Sequence, residues 1–310
     1  MIAPKIHFAT IAVATDLSDA SSSALRYAQS IARTYQSTLV LIHVIDPMAY
    51  AFPNGAPTFP ASKNMLEDAR EELARIEGDA RNQGITVHSV LESGVVCERI
   101  LASARKHHAD LLVLGTRSQT EAGRVALGTV ARQLLARADF PIMTVSPDAA
   151  LSMPWAGRCR RVLAATDFSS ASIAGLQFAR QLAQRHLTTL HVSRCKSDHG
   201  CLPCQDRLRA LTPEVTSMEI SESTLPVVPI DHILVSGNAG ERIAEYAEKT
   251  GADLVVLGSP VNELSEGDFH TSTVLQVISK VACPVLCVPF TSNQLVVKTG
   301  SVALQQIAIA

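Results

Sequence analysis

IAVATDLS at residues 11–18 returns as VLAATDFS at 162–169, and this duplication decides the fold. A second pair agrees with it: ADLLVLG at 109–115 returns as ADLVVLG at 252–258. Asp16 and Asp167 stand 151 positions apart, Gly115 and Gly258 143. A period of that length is a whole domain rather than the roughly 20–50 residue unit of a solenoid, so each copy should bury its own core. The expected division is a first domain over 1–147, a linker over 148–159, a second domain over 160–290 and a tail over 291–310.

Working outward, each copy alternates apolar runs with amphipathic stretches. In the first, 8–15, 38–44, 85–91, 110–115 and 141–145 are near-continuous apolar runs, as parallel strands covered on both faces require. Leu25, Ala28, Ala32 and Tyr35 share one helical stripe, with Ser18 placed to cap it. Further helices are expected over 67–81, 98–108 and from Val130 to Ala138. The second copy repeats the strands at 161–166, 188–192, 231–235, 253–258 and 284–289. Its second helix is expected to be short or missing, because Pro213, Pro226 and Pro229 interrupt that region. Strands alternating with helices imply right-handed crossovers. The predicted class is therefore α/β: two tandem doubly wound parallel-sheet domains, flavodoxin- or Rossmann-like, each of strand order 3-2-1-4-5. In that order the fifth strand of each copy lies exposed at an edge, so 141–145 is expected to pair with 284–288 across a pseudo-two-fold, one chain imitating a dimer. A homodimer of whole chains through other surfaces is also compatible with the sequence.

Composition narrows the function. The chain has 310 residues, 47% of them hydrophobic, a net charge of −2 and 4% aromatic residues, which argues against a nucleic-acid binder with a basic face and stacking platforms. Its longest apolar runs are strand-sized, so no membrane association is expected. MIAPKIHFATIAVAT could imitate a signal peptide, but its counterpart at 160–166 lies mid-chain, so it reads as a strand. Seven scattered cysteines, an odd number, suit reduced thiols and a cytoplasmic location. Trp155, the single tryptophan, reads as an anchor packing the linker onto a domain.

Ligands of open α/β sheets bind at the carboxyl ends of strands, where the strand order reverses. That point lies between the first strand, ending at Asp16, and the fourth, ending at Gly115. After Gly115 comes TRSQTEAGRVAL, then Gly128 and Thr129 at a helix start. Exposed N–H groups and the positive helix pole there would receive a phosphate chain.

Asp16 at a strand end, LIHVID closing the second strand, and Gly115-x2-Ser118-x9-Gly128-Thr129 together resemble the universal stress protein family, whose ATP-binding members carry Gly-x2-Gly-x9-Gly-Ser/Thr. The resemblance spans both halves and implies a tandem two-domain member. It implies that Thr15 and Asp16 face the adenosine, that the Val44 backbone meets the adenine edge, and that Gly115 lines the ribose and phosphate path. Gly128, Thr129 and the Val130 amide would hold phosphates. Ser118 stands where the family has its second glycine; it would either bond a phosphate or obstruct the backbone. Arg117 and Arg124 would neutralise phosphate charge or remain solvated loop residues.

The second copy keeps the spacing as Gly258-x2-Val261-x9-Thr271-Ser272 but loses two glycines. Its loop carries Glu263, Glu266 and Asp268, a sum of −3, against +1 from Arg117, Glu121 and Arg124 in the first. A triphosphate would meet repulsion there unless a cation such as Mg intervened. One competent adenine-nucleotide site is expected, in the first domain. Separately, Cys195, His199, Cys201 and Cys204 place four soft ligands within ten residues. Three readings stand for them: a zinc site, a thiol redox pair, or reduced surface cysteines. Cys283 and Cys287 flank the last strand and read as core. No nucleophile elbow, catalytic triad order or Lys-bearing phosphate loop appears, so no strong catalyst is expected, slow ATP hydrolysis aside. Three classes follow: a cytoplasmic stress-response regulator that binds ATP and reports it to protein partners, a nucleotide-independent interaction scaffold, and an enzyme on the same fold.

Overall fold

A computed structural model describes residues 6–47, 59–116, 127–147, 149, 159–183, 185–193, 229–260 and 272–290. The first half runs β1 (Thr10–Ala14), α1 (Asp19–Tyr35), β2 (Thr38–Ile45), α2 (Phe59–Asn82), β3 (Val87–Ser93), α3 (Val96–Lys106), β4 (Leu111–Gly115), α4 (Thr129–Arg137) and β5 (Ile142–Val145). The second runs β6 (Arg161–Thr166), α5 (Ser170–Leu182), β7 (His186–Ser193), β8 (Ile230–Ser236), α6 (Ala239–Thr250), β9 (Leu254–Pro260), α7 (Thr273–Lys280) and β10 (Val285–Phe290).

Within each half the order is 3-2-1-4-5 and every pairing is parallel. The halves meet where β5 and β10 pair antiparallel, Val285 opposite Thr144 and Cys287 opposite Ile142, giving one ten-stranded sheet. Two hydroxyls stitch the same seam: Thr144 Oγ1 donates to the Val285 carbonyl at 3.4 Å, and Ser146 Oγ to that of Ala282 at 3.1 Å.

The apolar runs form strands because both sheet faces are covered. Ile11 and Val13 point into a layer under α1, α2 and α5, while Ala12 between them points into the layer under α3, α4, α6 and α7. All three are fully buried. Each layer draws residues from both halves, so the core continues through the seam. At about 0.8 kcal/mol per buried methylene, that continuity binds the halves more strongly than the strand pairing alone.

Several boundaries differ from the sequence reading. α2 begins at Phe59, eight residues before Glu67, and α3 at Val96, while β3 runs from Val87 to Ser93 rather than from Ile85. β3 is an edge strand with a partly exposed surface, so its weak alternation carries little of the signal that buried strands give. Ser18 stands at the α1 N-cap without a side-chain cap bond, its hydroxyl turned instead to Asp16. The expected damaged helix of the second half, Trp155 and the 291–310 tail lie outside the described residues.

Candidate functional site

The β1 to α1 turn is built by side chains that bond backbone. Thr15 Oγ1 accepts the Leu17 N–H at 3.0 Å and shares a 2.8 Å bond with Ser21 Oγ, while Ser21 Oγ also donates to the Ser18 carbonyl. These bonds hold Leu17 at φ 62, a left-handed conformation that leucine seldom adopts unaided. Asp16 is exposed and accepts both the Ser18 N–H at 3.1 Å and the Ser18 hydroxyl at 2.5 Å. Burial pushes its carboxyl upward, but the Ser18 and Ser21 hydrogen bonds outweigh that and hold it below the usual value. The turn therefore presents a stable carboxylate at the mouth of the crevice.

His43 locks the turn from the next strand. Its Nδ1 lies 2.8 Å from the Thr15 carbonyl; a carbonyl only accepts, so Nδ1 carries the proton. β1 ends at Ala14 opposite Ile42, whereas β2 continues to Ile45. Thr15 N–H donates to the Ile42 carbonyl, so even-numbered residues of β2 face the β1 side. Val44 thus presents its N–H and C=O where β1 has already ended, an arrangement that can pair with the edge of a planar heterocycle.

Across the switch point, β4 ends at Gly115, followed by Thr116, buried and bonded through its N–H to the Val145 carbonyl at 3.0 Å. Arg117, Ser118 and Arg124 lie outside the described residues. The chain re-enters at Leu127, and Gly128 is the N-cap of α4 with φ −62 and ψ 155 and no side-chain cap bond. No acidic residue stands in the first turn of α4 either. Thr129 is exposed and Val130 half-buried, so the first-turn N–H groups of α4 have no side chain of the helix's own to satisfy them.

Sequence reasoning missed Arg132. It is half-buried in the first turn, its Nε is buried without a hydrogen-bond partner, and it makes no salt bridge among the described residues. A cation at the positive pole of a helix opposes the macrodipole. The signal was available: aligned through the paired Pro141 and Pro284, the second half carries Leu275 at this position.

The second half repeats the turn. Thr166 Oγ1, Ser172 Oγ, the Phe168 N–H and His191 Nδ1 reproduce the contacts of Thr15, Ser21, Leu17 and His43. Asp167 accepts the Ser169 N–H at 2.9 Å; burial pushes its carboxyl up, and hydrogen bonds from Ser169 and Ser172 bring it below the usual value. Phe168, however, stacks on His191 with ring centroids 4.2 Å apart. Gly258 sits so near the start of α5 that a methyl there would lie 1.9 Å from the Ala171 carbonyl oxygen, and a methyl on Gly175 would lie 2.7 Å from the Gly258 nitrogen. In the first half a buried Ala24 takes the place of Gly175. The two turns share an origin, and the aromatic stack at Phe168 is found in the second alone of the two, Leu17 standing in its place in the first.

Metal chemistry finds no support elsewhere: among the described residues no three His, Cys, Asp or Glu side chains gather as a metal site, and the 195–204 cluster lies outside them. Cys287 is buried and its thiol is pushed up to about 12 by burial, as is that of half-buried Cys283, so neither is a ready nucleophile. No helix among the described residues is long and apolar enough to cross a membrane.

Comparison with known proteins agrees with this architecture. A family model described as the universal stress protein family matches residues 7–146 and again 158–289. A universal stress protein of Methanocaldococcus jannaschii is 30% identical over 136 residues, covering 44% of this chain and 80% of the relative. One from Thermus aquaticus is 32% identical over 139 residues, covering 44% and 98%. The crystal structure of a universal stress protein from Archaeoglobus fulgidus superposes with a TM-score of 0.71 at 20% identity, covering 92% of this chain and 99% of that one. The chain belongs to the universal stress protein family and carries its domain twice in tandem.

Proposed function

We propose that the first half binds an adenine nucleotide, ATP, and that the protein is a cytoplasmic stress-response regulator rather than a strong catalyst. One observation carries the reading: at the β1/β4 switch point, a hydrogen-bonded turn bearing Asp16 faces the uncapped start of α4 at Gly128. Thr15 and Asp16 would meet the adenosine, the Val44 backbone the adenine edge, and Gly115, Gly128, Thr129 and Val130 the polyphosphate. Arg132, Arg117 and Mg would supply positive charge, and the Ser118 hydroxyl a hydrogen bond to a phosphate. These residues fit the group: a carboxylate for hydroxyls, backbone for a base, and unsatisfied N–H groups for phosphate. The nucleotide would supply binding energy that favours one conformation, which partners then read.

A melt with and without ATP tests this. Saturating ligand at 100 times its dissociation constant adds about 2.7 kcal/mol, a rise of several degrees in Tm. Arg132→Ala should weaken binding about tenfold while leaving the ligand-free melt nearly unchanged. No shift at millimolar ATP would leave the scaffold reading, which the Phe168–His191 stack already favours for the second half. The scaffold reading includes a zinc or thiol-redox site at Cys195, His199, Cys201 and Cys204, and stoichiometric zinc in protein purified without added metal, lost in Cys201→Ser, would assign it to the metal.

A further inference from the structure

The seam creates two cavities related by the pseudo-two-fold, each where the first helix of one half overhangs the amino ends of the other half's strands. The first, about 360 Å³, lies beneath Tyr27 of α1 and is walled by Arg160, Arg161, Asp253 and Cys283. The second lies beneath Phe178 of α5 and is walled by Phe8, Asp110, Asp139 and Phe140. Position by position, Tyr27 answers to Phe178, Arg161 to Thr10, Arg160 to Ala9 and Cys283 to Phe140, while Asp253 and Asp110 are retained. The retained aspartates do one job: Asp253 accepts the Arg161 N–H at 2.8 Å, and Asp110 those of Ala9 and Thr10 at 2.7 and 2.9 Å.

Duplication thus gave two corresponding cavities, of about 360 and 580 Å³, and their chemistry diverged. Ionised side chains lining the first sum to +1, from two arginines and Asp253; those lining the second sum to −2, from Asp110 and Asp139. Arg161 is held in place: its guanidinium lies flat against Gly251, the left-handed C-cap of α6, where a methyl would meet Nη2 at 3.1 Å and Cζ at 3.3 Å. Neither Arg160 nor Arg161 forms a salt bridge among the described residues, although Asp253 is near. Arg160 and Arg161 both line this concave, partly enclosed space beside Tyr27, and guanidiniums are the donors that recognise an oxyanion.

The geometry points to a second, non-nucleotide ligand site: the cavity under Tyr27 takes a small oxyanion, a phosphoryl or carboxylate group, at the junction of the two halves. It lies at the amino ends of β6, β9 and β10, the opposite edge of the second half's sheet from its own strand-end crevice. Because α1 forms its roof and the β1–α1 turn begins that same helix, the occupant would brace the helix that follows Asp16.

Calorimetric titration of the full chain with inorganic phosphate, at constant ionic strength and without nucleotide, tests this. The expected result is one saturable site per chain, weakened about tenfold or more in R160A/R161A and several-fold in Tyr27→Phe, the residue the second cavity carries. Succinate displacing the phosphate would assign the natural group to carboxylates, and failure to displace it to phosphoryl groups. Both arginines are exposed, so the variants should fold; if the double variant melts early, Arg160→Gln alone gives the same reading. Absence of saturable uptake at millimolar phosphate, or affinity unchanged in R160A/R161A and in Arg160→Gln, overturns the site. The second outcome would place the phosphate elsewhere, as at the start of α4.

Discussion

Asp16 and His232 are both held below their usual values, the first by hydrogen bonds and the second by burial. The first is an exposed carboxylate that its own turn stabilises, and the second a half-buried imidazole whose Nδ1 is buried without a partner. Burial holds His232 below its usual 6.5, the nearby Asp231 opposing this only in part. As pH falls through 6.5 the unfolded chain takes up a proton that the folded chain refuses, so His232 makes stability decline below 6.5 until its folded value is reached. The lowered Asp16 and Asp167 carboxyls act in the same sense further down: the stability they supply is complete above 3.8 and is lost as pH drops through their folded values. Urea midpoints at pH 7.5 and 5.5 should therefore fall further for the wild-type chain than for His232→Gln. An equal fall in both would remove His232 from the account.

At the level of elements, the glycines separate those that pack from those that merely occur. Gly258 and Gly175 let α5 and β9 approach to backbone contact, and Gly258→Ala would drive a methyl into the Ala171 carbonyl. That substitution should cost about 3 kcal/mol or more, read as a drop in the urea midpoint. Gly78 stands mid-helix in α2 with nothing within 4 Å of a methyl, and Gly78→Ala should stabilise by about 0.5–1 kcal/mol. The sequence made the strands legible where both faces are buried, as in β1, β4 and β9, because an apolar run has one interpretation there. It understated α2, whose first eight residues contain a proline and little apolar periodicity. Ser18 does stand at the N-cap, but its hydroxyl donates to the Asp16 carboxylate, and in that orientation its oxygen accepts no N–H from the helix.

The whole molecule is organised by one antiparallel strand pair. Separated from the second half, residues 1–150 would expose the β5 edge, Met143 and the underside of α1 to water. That fragment should therefore self-associate, and light scattering should find it dimeric where the full chain is not driven to pair through the same edge. A strictly monomeric, stable fragment would show that the seam adds little. The same seam explains why two equal modules no longer do equal work. Each half lost or kept polar groups independently, so the Tyr27 cavity carries arginines where its counterpart under Phe178 carries none.

The sequence by itself determined the duplication, the doubly wound topology, the strand-end position of Thr15, Asp16 and Gly115 and the place of Gly128 at a helix start, because repeat, apolar run and glycine spacing are local patterns that survive without coordinates. Only the tertiary structure decided that Ser18 serves Asp16, that His43 clamps the Thr15 carbonyl, that Gly258 is a packing site, and that Arg160 and Arg161 meet Tyr27 across more than 130 residues of chain. The Ser18 contact is a local choice between partners two residues apart; the others depend on distances between segments far apart in sequence, and such distances are fixed by how two layers of helices close over a shared sheet.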